Sequence, residues 1–283
     1  MQRTPGARFY HRIHPKQLIK WTVYTLLLLN WGAYIQDDWQ NAQYTLRAGG
    51  TLLQWASAFA TSLDEAAWFG LLFLWELETY ALSEQYDTRR VRWMFLGIRG
   101  LCYIFIAHTV IARVIGLDEL RHVEPVPGVT RLCDLSDRNL SFAHNLHYSL
   151  IDSRNCATLS GANQFYFVDN TAVTDAPGLH IERQSAWIDL QDAVTWLLVM
   201  LTIEVAIWLQ ERNITGGPVM LASNLGKLMY GLLFAHAAYW AYRGHWLYAW
   251  DQVLWIGGFF AIELNVRDWR KDINLHHVEE VPG

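Results

Sequence analysis

Charge is scarce in this chain. Asp, Glu, Lys and Arg make up 17% of 283 residues, where a soluble domain usually carries about a quarter. A basic excess is lacking as well: the formal net charge is −5, which argues against nucleic acid as a general partner. The signatures of soluble enzymes are missing, with no Gly-rich phosphate loop, no CxxC, no HExxH and no nucleophile elbow. No small-residue cleavage site follows the first apolar run, so that run reads as a retained helix rather than a signal peptide.

Apolar and aromatic residues fill the gap: 52% are hydrophobic, with 15 Trp, 13 Tyr and 12 Phe. They gather into six runs, roughly 18–36, 62–83, 93–115, 187–210, 219–241 and 247–266. A hydrocarbon core ~30 Å thick needs roughly 20 mostly apolar residues to cross, and soluble helices rarely stay apolar on all faces for that long. Trp21, Tyr34, Trp39, Trp68, Tyr80, Trp93, Trp187, Trp208, Tyr242 and Trp246 sit near run ends, where amphipathic rings favour headgroups. Every second connection is the more basic. Arg3, Arg8, Arg12, Lys16 and Lys20 precede run 1; Arg89, Arg90 and Arg92 precede run 3; Arg212 and Lys227 flank the start of run 5; Arg267, Arg270 and Lys271 follow run 6. The positive-inside rule then puts both termini in the cytoplasm. The expected fold is all-α: a polytopic protein of six transmembrane helices, in a bacterial inner membrane. Its expected partners are the lipid bilayer and a homo-oligomer or membrane-complex partner.

The expected organisation is a first hairpin and third helix over 1–115, an extracytoplasmic subdomain over 116–186, helices four to six over 187–266 and a cytoplasmic tail over 267–283. The subdomain is polar, carries Pro125, Pro127 and Pro177, and holds Cys133 and Cys156. In an oxidising compartment these two cysteines form a disulfide, worth ~3 kcal/mol for a loop of this length. Cys102 falls within run 3 and reads as a small packing residue. Asn163–Thr174 reads as strand, from Phe165, Tyr166, Phe167 and Val168. Thr45–Asp64 reads as an amphipathic helix at the outer surface, and Gly216–Gly217–Pro218 as the turn before run 5.

An internal repeat organises the apolar runs. Asp64–Trp68–Glu76, Asp192–Trp196–Glu204 and Asp251–Trp255–Glu263 share one spacing, four residues and then eight. The odd runs repeat more loosely, as Lys20–Asn30, Arg99–His108 and Lys227–His236. Three helical hairpins around a pseudo-threefold axis follow. Twelve residues of helix rise ~18 Å, so two polar layers are expected. The inner one consists of ion pairs Lys20–Glu76, Arg99–Glu204 and Lys227–Glu263. The outer one pairs Asn30 with Asp64, His108 with Asp192 and His236 with Asp251.

Two interpretations compete for each group. The Asp residues fall where run N-termini would be capped. The Glu residues, opposed by the helix dipole, need structural partners or line a path. Glu78 and Arg113 break the repeat; Glu78 is expected to face headgroups and Arg113 to snorkel. Intramembrane acids point first to a channel or transporter for a cation or proton, with Glu76, Glu204, Glu263, Asp64, Asp192 and Asp251 in the pathway. A redox or metal-binding subunit, with haem or a metal on His108 and His236, is the second expectation. The third is a non-catalytic scaffold or sensor whose outer segment binds a partner. His276 and His277 lie in a polar tail.

Overall fold

The computed structural model is mostly helical and describes residues 15–46, 49–77, 88–169, 171–212 and 217–259. Arg3, Arg8, Arg12, Glu78, Tyr80, Gly216, Glu263, Arg267, Arg270, Lys271, His276 and His277 lie outside the described residues; of Glu204 only the backbone is described.

Helix α1 spans Pro15–Thr45, α2 Leu52–Ala58, α3 Ala60–Glu76 and α4 Arg89–Arg121. Helix α2 starts from a capping box, in which Thr51 Oγ1 accepts from Gln54 N and the Gln54 side chain accepts from Thr51 N. It runs into α3 through a break at Phe59. Thr88 caps α4, whose first residues are Arg89 and Arg90. The helix dipole does not favour cations there. Among the described residues α4 is the one helix long and apolar enough to cross a membrane, and only 22% of its apolar window is buried. Its apolar surface therefore faces outward. After the small outer domain, α6 spans Ala176–Glu211 and α7 Gly217–Tyr242; α8 covers 246–259. Gly217 thus opens a helix instead of a turn.

The long helices form two concentric trios. Helices α3, α6 and α8 are innermost and bring the three repeat tryptophans together: the Trp68 ring lies 5.8 Å from Trp196 and 6.1 Å from Trp255. Phe259 closes the cluster at 5.9, 5.8 and 6.0 Å from Trp68, Trp196 and Trp255. Helices α1, α4 and α7 fill the outer grooves. Helix α1 touches α3 through Trp31 Nε1, which donates to Ser62 O, and touches α8 where Val23 and Leu27 face Gly258. Helix α4 packs so closely on α3 that a Cβ on Gly70 would meet Cys102 Sγ at 2.8 Å. Cys102 is buried and not in a disulfide, as a small packing residue should be. Helix α7 meets α6 through Ser185 and Tyr239, and α8 through Trp240 and Tyr248.

The outer domain occupies 122–175, narrower than the expected segment, because α4 and α6 run on past their apolar runs. Strands β1 (Ser141–His144), β2 (His147–Leu150), β3 (Phe165–Asp169) and β4 (Ala172–Asp175) form one sheet in the order β2–β1–β4–β3, with β1 and β4 parallel. The expected strand at 163–174 is therefore a β3–β4 hairpin. A short helix, α5 (Cys156–Leu159), follows β2, and Cys156 is disulfide-bonded to Cys133. Leu132, Leu135, Phe142, Ile151, Phe165 and Val173 form the domain's own core.

Asp175 caps α6 by accepting from Gly178 N at 2.8 Å. A Cβ on Gly178 would strike Thr174 Oγ1, which donates to Ala143 O, and would crowd Asp175 and His144. Gly178→Ala is therefore expected to lower stability by about 1–3 kcal/mol, read as a lower melting temperature of the purified protein. An unchanged melting temperature would show that the strand–helix junction yields freely.

Candidate functional site

The repeat Asp residues are not caps. Helix α3 begins at Ala60, α6 at Ala176 and α8 at 246, so Asp64, Asp192 and Asp251 all sit inside helices. Their backbone N–H groups are already used, and their side chains turn to neighbouring helices.

Those neighbours belong to other repeats. Asn30 Nδ2 donates to Asp251 Oδ1 at 2.6 Å, so its partner is Asp251 and not Asp64. His236 Nδ1 lies 2.9 Å from Asp192 Oδ1, so its partner is Asp192 and not Asp251. In each case the outer helix bonds the inner helix of the preceding repeat. In this outer layer the within-hairpin pairing gives way because each outer helix lies in a groove between two inner helices, whereas Lys20 and Glu76 pair within the first hairpin as expected. His108, the third equivalent, has a buried Nδ1 with no partner among the described residues. Asp64 lies against Trp68 and Thr109, with Arg113 the facing cation.

The indoles follow a cyclic rule too. Trp196 Nε1 donates to Gln252 Oε1 at 3.1 Å, and Trp255 Nε1 donates to Glu65 at 3.0 and 3.2 Å. Two of the three repeat tryptophans thus reach the residue after the Asp of the next repeat. In the remaining case that residue is Ala193, which cannot accept. Gln252 also donates to Asp192 Oδ2. Glu65 lies within hydrogen-bonding reach of Asp251. Glu65, Asp251, Gln252, Asn30 and His236 are all buried, which joins them into one polar layer directly outside the tryptophan plug.

Glu65 and Gln252 were not singled out in the sequence. The residue following the Asp is Glu, Ala and Gln in the three repeats, so spacing carries no signal there. Arg113 does not snorkel: Nη1 pairs with Asp189 Oδ2 at 2.8 Å and Nη2 donates to Thr61 Oγ1 at 2.8 Å. Nearer the outer surface, Ser62 donates through both N and Oγ to Asp38 Oδ2, at 3.0 and 2.6 Å. Burial raises the Asp38 carboxyl, and the two Ser62 bonds oppose that shift. Tyr248 OH donates to Asp37 at 3.2 Å. The polar layer is thereby continued by partnered carboxyls toward the outer end.

The inner layer is described in one repeat. Lys20 Nζ lies 2.7 Å from Glu76 Oε2, and Tyr24 OH donates to Oε1 at 2.8 Å. The backbones of Arg99 and Lys227 stand on α4 and α7, as the repeat requires. His108 and His236 occupy α4 and α7, which both flank α6. Among the described residues no group of three or more His, Cys, Asp or Glu is arranged to hold a metal. Carboxyl, imidazole and phenol groups in this arrangement can hold protons, and the amides tie them together by hydrogen bonds. No protein-family model, curated protein sequence or solved structure matches this chain.

Proposed function

We propose that this is a six-span membrane protein, N-in and C-in, that moves a proton or small cation through the bundle. Supporting a lipid environment are large apolar side chains exposed along the outer helices: Leu28 and Leu29 on α1, Leu101 and Ile104 on α4, Leu228 and Phe234 on α7. A water-exposed surface of that kind would drive association. The observation that carries the transport reading is the carboxyl layer itself, buried Glu65 and Asp251 with half-buried Asp192, held by amide, indole and imidazole side chains. Ionisable groups at such depth default to pathway roles. Two carboxyls as close as Glu65 and Asp251 share a proton more readily than they carry two charges.

In this reading the tryptophan plug separates the outer carboxyl layer from the inner Lys20–Glu76–Tyr24 layer, and transport requires the plug to shift. Asp64, Glu204 and Glu263 keep their proposed places by repeat symmetry, as do Arg99 and Lys227 as ion-pair partners. The test is reconstitution of the full chain in proteoliposomes with an internal pH-sensitive dye. An imposed pH gradient is expected to collapse faster than in protein-free vesicles; equal rates would rule out proton movement. A scaffold or sensor is the second reading, favoured by the outer domain's grip on the bundle.

A further inference from the structure

The outer domain and its α6 stem hold the outer ends of all three peripheral helices. At the end of α1, Thr171 Oγ1 donates to Tyr44 O and Thr45 O, at 2.7 and 3.1 Å. At the end of α4, Arg183 Nε donates to Leu120 O at 2.7 Å and Nη2 to Arg121 O at 3.3 Å. Just past the end of α7, Asn145 Nδ2 donates to Arg243 O at 3.0 Å. C-terminal carbonyls lack helical partners; the outer domain caps the ends of α1 and α7, and the adjoining start of α6 caps the end of α4.

The third grip is built differently. Asn145 and Leu146, the tip of the β1–β2 hairpin, have φ of 54° and 60°. A two-residue turn of this hand favours Asn-Gly, and a bulky Leu is disfavoured there. Glu182 Oε1 holds Leu146 N at 3.0 Å. Around this tip Asn145 Oδ1, Arg243 Nε and Nη2 and His245 Nε2 are buried without hydrogen-bond partners among the described residues. Each would gain water on separation. The His147 ring lies on His245 at 5.4 Å. We propose that the outer domain is a clamp on the bundle, and that its grip on the α7–α8 corner is a latch released by acid when His245, stacked on His147, takes up a proton.

Every element packed on His245 bears on the sign. The hairpin contributes His147 and the Asn145 backbone, α7 contributes Arg243 beside the neutral Trp240, α1 contributes Asp37 and α8 contributes Tyr248. Burial, then His147 and Arg243, disfavour the imidazolium; the Asn145 backbone and Asp37 offset this in part, and the ring is left below its ordinary value. The docked corner thus binds the proton less well than the free corner. The grip is intact above the free value, ~6.5, and weakens as pH falls below it. Glu182 works the other way: burial raises its carboxyl, so protonation there favours the docked state. Release must therefore come from His245.

The test is hydrogen–deuterium exchange on the full chain in lipid nanodiscs, corrected for intrinsic pH dependence. Between about pH 7.5 and 5.5, opening of segments 142–149 and 240–248 is expected to rise about tenfold, the limit for one ring that titrates only when free. Segments 40–46 and 118–122 are expected to keep their protection. In His245→Gln the acid rise should vanish. A pH-independent corner, an equal rise at all three grips, or a full acid rise in His245→Gln would each overturn the proposal. Should that variant not fold, His147→Gln is expected to weaken the response, and an undiminished response there overturns it equally. Because the readout is exchange, it stands apart from any result on transport.

Discussion

Glu65→Gln is expected to slow proton flux in proteoliposomes by about a hundredfold, the lower range for losing a positioned proton-transfer group. The amide keeps the volume, and its oxygen still accepts from Trp255 Nε1, which now lies 3.0 Å from the carboxyl. What disappears is a carboxyl next to Asp251 that can take up and release a proton. Stability should change little, since the substitution is nearly isosteric and one hydrogen bond survives. A variant with full flux and a parental melting temperature would remove Glu65 from the pathway. A variant with lost flux and lost stability would make the carboxyl structural. Asp251, bonded to Asn30 and facing Glu65, belongs to the same unit, so combining Glu65→Gln with Asp251→Asn should cost little more flux than either alone.

His236→Ala is expected to carry the largest stability penalty, about 3–5 kcal/mol, typical of removing one member of a buried charged or hydrogen-bonded pair. His236 is 2% exposed and its Nδ1 bonds Asp192. The truncation leaves a cavity between α7 and α6 and strips Asp192 of its imidazole, leaving Gln252 as its partner. The repeat supplies an internal control. Asn30 performs the equivalent bond to Asp251 with an amide, so His236→Asn should recover about half of the lost stability or more, on the scale of one hydrogen bond to a charged group. Denaturant or thermal unfolding in detergent reads both variants. Equal losses for Ala and Asn would show that ring packing, and not the bond to Asp192, holds the corner.

The mostly helical architecture was legible in the sequence because long apolar runs announce helices, and among the described residues α4 is the one long and apolar enough to cross a membrane. The Asp–Trp–Glu spacing found tryptophans that meet: all three join one cluster with Phe259. Pairing was legible in the inner layer, where Lys20 meets Glu76 as expected, but not in the outer layer. Spacing along a helix gives height, not azimuth, and the azimuth of α1 and α7 turns Asn30 and His236 toward the preceding repeat. Helix ends were misread for a related reason. Hydropathy marks where lipid begins, whereas α6 starts at Ala176, well before its apolar run, with Asp175 as the true cap. Glu65 and Gln252 escaped because they occupy a position where the three repeats share no residue type. The β1–β2 turn escaped because Asn145–Leu146 lacks the glycine that usually marks it.

The central claim is that a bilayer surrounds this bundle while its carboxyls turn inward and pair between repeats. An experimental density map of the full chain in nanodiscs tests it most directly. It should show a lipid belt around α1, α4 and α7, Asn30 on Asp251, His236 on Asp192, and Glu65 beneath the Trp255 indole. Repeat carboxyls pointing into lipid or bulk water, or a bundle with no surrounding belt, would contradict the account.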